Sequence, residues 1–105
     1  MIKENENKIT ITPPVSLTES KIDSFRKELT DYNFPKKLKT KKKMAVLVDL
    51  SKVDSIDFFG FQHLYSFVRY LCNLNQHHSI NVMNKNHVFS DFEKKIGMAV
   101  IGCTQ

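Results

Sequence analysis

The chain has 105 residues, enough for one domain and too few for two with separate cores. Hydrophobic residues make up 41% and charged residues 26%, which excludes fibrous and wholly disordered classes. The formal net charge of +5 is concentrated rather than spread: Lys36, Lys37, Lys39, Lys41, Lys42 and Lys43 crowd into eight positions and leave the remainder nearly neutral.

Residues 1–7 are polar and expected to be disordered, leaving a single domain over residues 8–105. Lys8-Ile9-Thr10-Ile11-Thr12 alternates polar and β-branched residues, the period of a strand with one buried face, and Pro13-Pro14 ends it. A helix is predicted from Thr18, whose hydroxyl offers a cap, with Ile22, Phe25 and Leu29 facing the core. Tyr32-Asn33-Phe34-Pro35 breaks that pattern, and the lysine run is predicted to continue as a loop. Met44-Ala45-Val46-Leu47-Val48-Asp49-Leu50 is apolar almost throughout, as in a central strand covered by helices on both faces. Between Gly60 and about Asn75, Phe61, Leu64, Tyr65, Val68, Leu71 and Cys72 form a helical stripe. Ser79-Ile80-Asn81-Val82-Met83 reads as a strand, and residues 87–96 as a helix closed by Gly97. Met98-Ala99-Val100-Ile101 is a candidate last strand. The alternation predicts an α/β fold with a mostly parallel central sheet packed by helices.

No stretch approaches the roughly 20 apolar residues of a membrane span, and the N-terminus lacks the apolar core of a signal peptide, so a cytoplasmic chain is expected. Cys72 and Cys103 have no metal-ligand spacing and lie too far apart in sequence for a disulfide framework; Cys72 is expected to be a buried, inert thiol. His77 and His78 follow a helix end and are expected to be exposed turn residues, and no metal is proposed. Gly60, Gly97 and Gly102 form neither a phosphate loop nor a dinucleotide fingerprint, so no cofactor is expected. Gly-x-Ser-x-Gly is absent and no catalytic constellation is present, which argues against an enzyme.

The run Val46-Leu47-Val48-Asp49-Leu50-Ser51-Lys52-Val53-Asp54-Ser55-Ile56-Asp57-Phe58-Phe59-Gly60-Phe61-Gln62-His63-Leu64 resembles the signature region of STAS domains, the fold of bacterial anti-sigma-factor antagonists. Those proteins carry a hydrophobic strand ending in Asp-Leu-Ser, then a valine, an Ile-Asp, two small or hydroxylated residues, and Gly-Leu opening a helix. A weaker likeness runs from about Ile9 to Met98. Gln62 after Gly60-Phe61 is similar to the Gly-Leu-Gln variant of chemotaxis-linked and phospholipid-transport-linked members. The resemblance implies a STAS-type fold and a role in binding a protein partner. In switchable members the residue before the glycine is a serine or threonine that a partner kinase phosphorylates. Here that position is Phe59, preceded by Phe58, so the charge switch is missing. Ser55 is a neighbouring hydroxyl, expected in an extended, partly buried stretch that makes it a poor substitute. The resemblance places Asp57 beside the phosphosite; its own chemistry points to capping the following helix.

On the helix opened by Gly60, Phe59, His63, Ser66 and Tyr70 fall opposite the core stripe, with Phe67 at its edge. Aromatic side chains there point to an interaction site, the alternative being that Phe59 and Phe67 turn into the core or under the lysine-rich loop. Asp57, Phe58, Phe59, Gly60, His63, Phe67 and Tyr70 are accordingly the expected partner-binding residues. The expected partner is a protein client, either a kinase-type anti-sigma protein or the ATPase of a phospholipid-transport ABC complex, in which the domain would be a constitutive subunit. The competing reading is a homodimer in which this face is buried against a second copy. The lysine run offers an anion site, yet no aromatic residues interleave with it, so nucleic acid is not the expected partner.

Overall fold

A computed structural model describes residues 1–40, 43–74 and 78–103. The alternating segment forms β2 (Lys8–Ile11), preceded by β1 (Ile2–Glu4) and followed by the two-residue β3 (Ser16–Leu17). Helices α1 (Asp23–Tyr32) and α2 (Phe34–Thr40) lead into β4 (Ala45–Asp49) and the short β5 (Ser55–Ile56). Helix α3 (Phe58–Leu74), β6 (Ser79–Met83) and α4 (His87–Ile96) complete the elements. The main sheet runs β1-β2-β4-β6, antiparallel at β1 and parallel elsewhere, and β3 pairs in parallel with β5 in a second, two-stranded sheet.

Register explains the layering. Ile9 lies opposite Val46, Ile11 opposite Val48, and Val46 opposite Ile80, so these five side chains share one face, and all are fully buried. The same core takes Phe25 of α1, Phe34 and Leu38 of α2, Phe61, Leu64, Val68 and Leu71 of α3, and Phe89 of α4. Each such side chain contributes about 1.5–3 kcal/mol on leaving water. On the other face Lys8, Thr10, Leu47, Asp49, Asn81 and Met83 are half-buried or exposed. β4 is the central strand as expected, but only one of its faces is fully covered, because all four helices contribute to the core on that side.

Several expectations need correction. Residues 1–7 are not disordered throughout: β1 forms a hairpin with β2, and Ile2 sits opposite Ile11 on the core face. The first helix begins at Asp23, not Thr18, because Ser16 and Leu17 are committed to β5 and the Glu19 N–H donates to Asp57. The lysine run opens as helix α2 instead of a loop. Asn33 makes this possible: it adopts φ 58°, ending α1, and its side chain then accepts the Lys36 N–H (3.3 Å) at the start of α2. Pro35 fits the first turn, where its missing N–H costs nothing. Phe34 and Leu38, one turn apart, are buried, which leaves Lys36 and Lys39 exposed. Lys41 and Lys42 lie outside the described residues.

His78 is buried, not an exposed turn residue. Its Nδ1 accepts the Met44 N–H (2.8 Å) and its Nε2 lies 3.0 Å from the Leu38 carbonyl. This fixes the neutral tautomer with the proton on Nε2 and bolts the end of α2 to the start of β4. His77 lies outside the described residues.

Residues 98–101 form no strand. Gly97 takes φ 72° and closes α4 through its N–H to the Glu93 carbonyl. The Val100 N–H then donates to the Glu93 carboxylate (2.7 Å), so it is unavailable to a ladder. The tail returns to the sheet one step later, as a single antiparallel bridge between Cys103 and Ile80. Nor is Cys72 a free thiol: it is disulfide-bonded to Cys103, with Cα atoms 6.0 Å apart. The 31-residue separation hid a spatial meeting, since the end of α3 and the tail after α4 both arrive at the β6 edge. Closing such a loop stabilises by about 3–4 kcal/mol on the chain-entropy account.

Replacing His78 with Ala strands the Met44 N–H and the Leu38 carbonyl in the interior. The expected loss is about 1–3 kcal/mol per orphaned group, read as a lower urea midpoint at unchanged slope.

Candidate functional site

The site is organised by the entry to α3. Asp57 accepts the Gly60 N–H at Oδ1 (2.8 Å), which caps the helix, and accepts the Glu19 N–H at Oδ2 (3.0 Å). Both oxygens therefore hold backbone, and the half-buried carboxylate is a structural clasp. Gly60 is buried, and a Cβ there would fall far inside van der Waals contact with the Leu17 carbonyl oxygen and carbon. Glycine is required because the backbone of β3 occupies the space of a side chain.

Past this junction the aromatic residues separate. Phe58 projects into solvent at 55% exposure. Phe59 turns partly inward against the core, its ring 4.5 Å from that of His63. Phe67 is also half-buried and meets Phe34 of α2 edge-on at 5.3 Å. Tyr70 is 47% exposed. Phe59, His63, Phe67 and Tyr70 thus lie along one side of α3, with graded rather than uniform exposure.

Two adjoining hollows flank this side. One, of about 280 Å³, has Arg26, Leu29 and Thr30 of α1 on one wall and His63, Ser66 and Phe67 of α3 on the other. The second, of about 310 Å³, extends it past Phe67 to Tyr70 and the Asn33-Phe34-Pro35 turn. Leu29, Thr30 and Phe67 line both, so they run together as one groove between α1 and α3. Among the described residues its lining contains one cation, Arg26, and no carboxylate. Burial, and then the nearby Arg26 charge, hold His63 below its ordinary pKa of 6.5. Arg26 is therefore the charged side chain of a lining that mixes Leu29, Phe34 and Phe67 with the polar Thr30, Asn33 and Ser66.

The α1 wall was missed from sequence because Leu29 reads as a core residue at helical spacing. Only the reversal at Asn33, which sends the chain into α2, leaves the last turn of α1 facing α3 across open space.

The other candidates are dispersed. Lys37 sits 3.6 Å from Glu4 and its ammonium lies 5.1 Å over the Tyr32 ring. Tyr32 in turn donates to Glu4, and burial followed by that carboxylate raises its pKa well above the usual phenol range. Lys36, Lys39 and Lys43 are exposed. Ser55 lies in β5 as an exposed residue, against the expectation of partial burial, and its hydroxyl donates to Ser16 (3.0 Å). Asp49, at the end of β4, is held below its ordinary pKa chiefly by the Ser51 N–H; it also accepts from Asn84 and so ties two loops together. Among the described residues no group of three His, Cys, Asp or Glu side chains is placed to hold a metal ion, and no helix is long and apolar enough to cross a membrane.

Comparison with protein-family models, curated proteins and solved structures returns no match to this chain.

Two consequences are measurable. Gly60→Ala drives a methyl group into the Leu17 carbonyl, and overpacking against backbone is expected to cost about 1–3 kcal/mol or more, seen as a lowered melting temperature. The depressed pKa of His63 means that the unfolded chain takes up its proton at higher pH than the folded one. Its stability contribution is complete above pH 6.5 and lost as pH falls from 6.5 through the folded pKa. His63→Gln should accordingly flatten the fall in unfolding free energy below pH 6.5, measured against wild type by urea titration.

Proposed function

We propose that this chain is a STAS-type regulator of the cytoplasm that binds a protein client along the α1/α3 groove and is not itself an enzyme. The observation that carries the reading is the groove together with Tyr70, the exposed aromatic residue at its far end. Aromatic residues of this kind are enriched among the side chains that dominate interface energies. Two features of the fold support the STAS resemblance: a mostly parallel sheet packed by helices, and a signature run that spans β4, its loop and the opening turns of α3. The absence of hydroxyls at positions 58 and 59 favours constitutive binding over kinase-switched binding. A subunit role beside a transporter ATPase fits that better than a complex released by phosphorylation.

The test uses Ser66→Arg combined with Tyr70→Ala, both exposed residues of the groove lining and therefore expected to leave the core intact. Wild type on a support should retain one cytoplasmic protein in stoichiometric amount, and the double variant should lose it at least about tenfold, about 1.4 kcal/mol. Mass spectrometry then identifies the client as a kinase-type protein or an ATPase. Equal retention by both forms overturns the surface. Self-association by light scattering that the same pair abolishes would replace the client with a second copy.

A further inference from the structure

We infer that the Cys72–Cys103 disulfide is a redox latch that holds the C-terminal strap, residues 98–103, across the edge of β6. Of the strap's six residues, Val100 is the one that is fully buried. Its N–H is held by Glu93, which also pairs with Lys85 at 2.8 Å. Met98 and Ile101 are exposed at 40% and 67%. Among the described residues its backbone hydrogen bonds to the sheet edge are with Ile80, whose N–H and carbonyl both bond Cys103 at 2.7 Å. Gly102 lets the strap approach so closely, since a Cβ there would collide with the Ile80 carbonyl. A single bridge opens locally far more readily than a ladder unless it is tied, and the tie here is covalent. It runs to α3, the helix that walls the groove.

Neither cysteine is fully buried, so a small thiolate can reach the bond. In the reaction a thiolate of a dithiol attacks one protein sulfur and breaks the S–S bond. The mixed disulfide is then resolved by the reagent's second thiolate. The protein is left with two thiols after gaining two electrons and two protons, and the dithiol leaves as a cyclic disulfide. Oxidation by a glutathione-type disulfide runs the exchange in reverse. This step rests on the proposed cytoplasmic location: disulfides in reducing compartments are usually transient or redox-sensing, and a bond closing a strap joined to the sheet by one bridge has the form such a role requires.

The test is amide hydrogen exchange on the whole chain, oxidised and then treated with dithiothreitol. The Ile80 and Cys103 amides should exchange at least about tenfold faster after reduction, while Val46 and Val48 of β4 keep their protection. Glutathione disulfide should restore the slow exchange. Cys103→Ser should reproduce the reduced pattern with no reductant present. Unchanged exchange at Ile80 and Cys103 overturns the latch. Loss of protection throughout β4 also overturns it, making the bond a staple of the whole domain, and so does failure of the thiols to pair again with glutathione disulfide. None of these readouts depends on the proposed client.

Discussion

The backbone of β3 passes so close to the first turn of α3 that no side chain fits between them, and the other features of the groove depend on that approach. Gly60 permits it, and Asp57 holds it by taking one N–H from each side. Three consequences follow. The chain between β2 and α1 is pinned to β5, which delays the start of α1 to Asp23. The axis of α3 is set at its first turn, so His63, Phe67 and Tyr70 come to line the groove beside α1. Phe58, which follows the clasp directly, is left pointing outward. A capping aspartate ordinarily contributes about 1 kcal/mol; this one also joins two elements 38 residues apart in sequence, so its loss would move the groove as well as fray a helix.

Strong periodicity was enough to locate most elements. β2, β4, β6, α3 and α4 were legible because their burial patterns are uninterrupted, and α4 carried its C-terminal glycine in view. What was not legible depended on partners distant in sequence. His78 looks like a turn residue until α2 and β4 supply an N–H and a carbonyl on either side of its ring. Lys36, Lys37 and Lys39 look like a loop because lysine reports nothing about Phe34 and Leu38 being one helical turn apart. Cys72 and Cys103 cannot be paired from spacing when the two chain segments meet only after α3 and α4 have packed. For the site, sequence indicated one wall, the aromatic side of α3. The other wall depends on a left-handed residue at Asn33, a tertiary choice that local propensity only permits.

The latch and the groove share a helix without sharing residues. The groove uses the side of α3 toward α1, from His63 to Tyr70, whereas the disulfide holds its last turns at Cys72. Helices are stiff over such lengths, so a tether at one end constrains the other chiefly through the helix axis. The entry clasp at Asp57 fixes that axis independently. Opening the strap should therefore change the sheet edge more than the groove, which separates redox state from client binding unless the client touches both.

Position matters more than residue type at the two phenylalanines. The resemblance assigns the phospho-acceptor to position 59, yet here that side chain packs against His63 and the core while the neighbour at 58 stands in solvent. A serine introduced at 59 would sit in a half-buried hollow beside an aromatic ring, out of easy reach of a kinase, and would leave a void where the phenyl ring packed. A serine at 58 would be accessible at the N-terminus of α3, where the helix dipole favours a phosphoryl charge by roughly 0.3–1 kcal/mol. The phenyl ring at 59 is part of the packing beside His63, so a serine there would weaken that packing as well as add a hydroxyl.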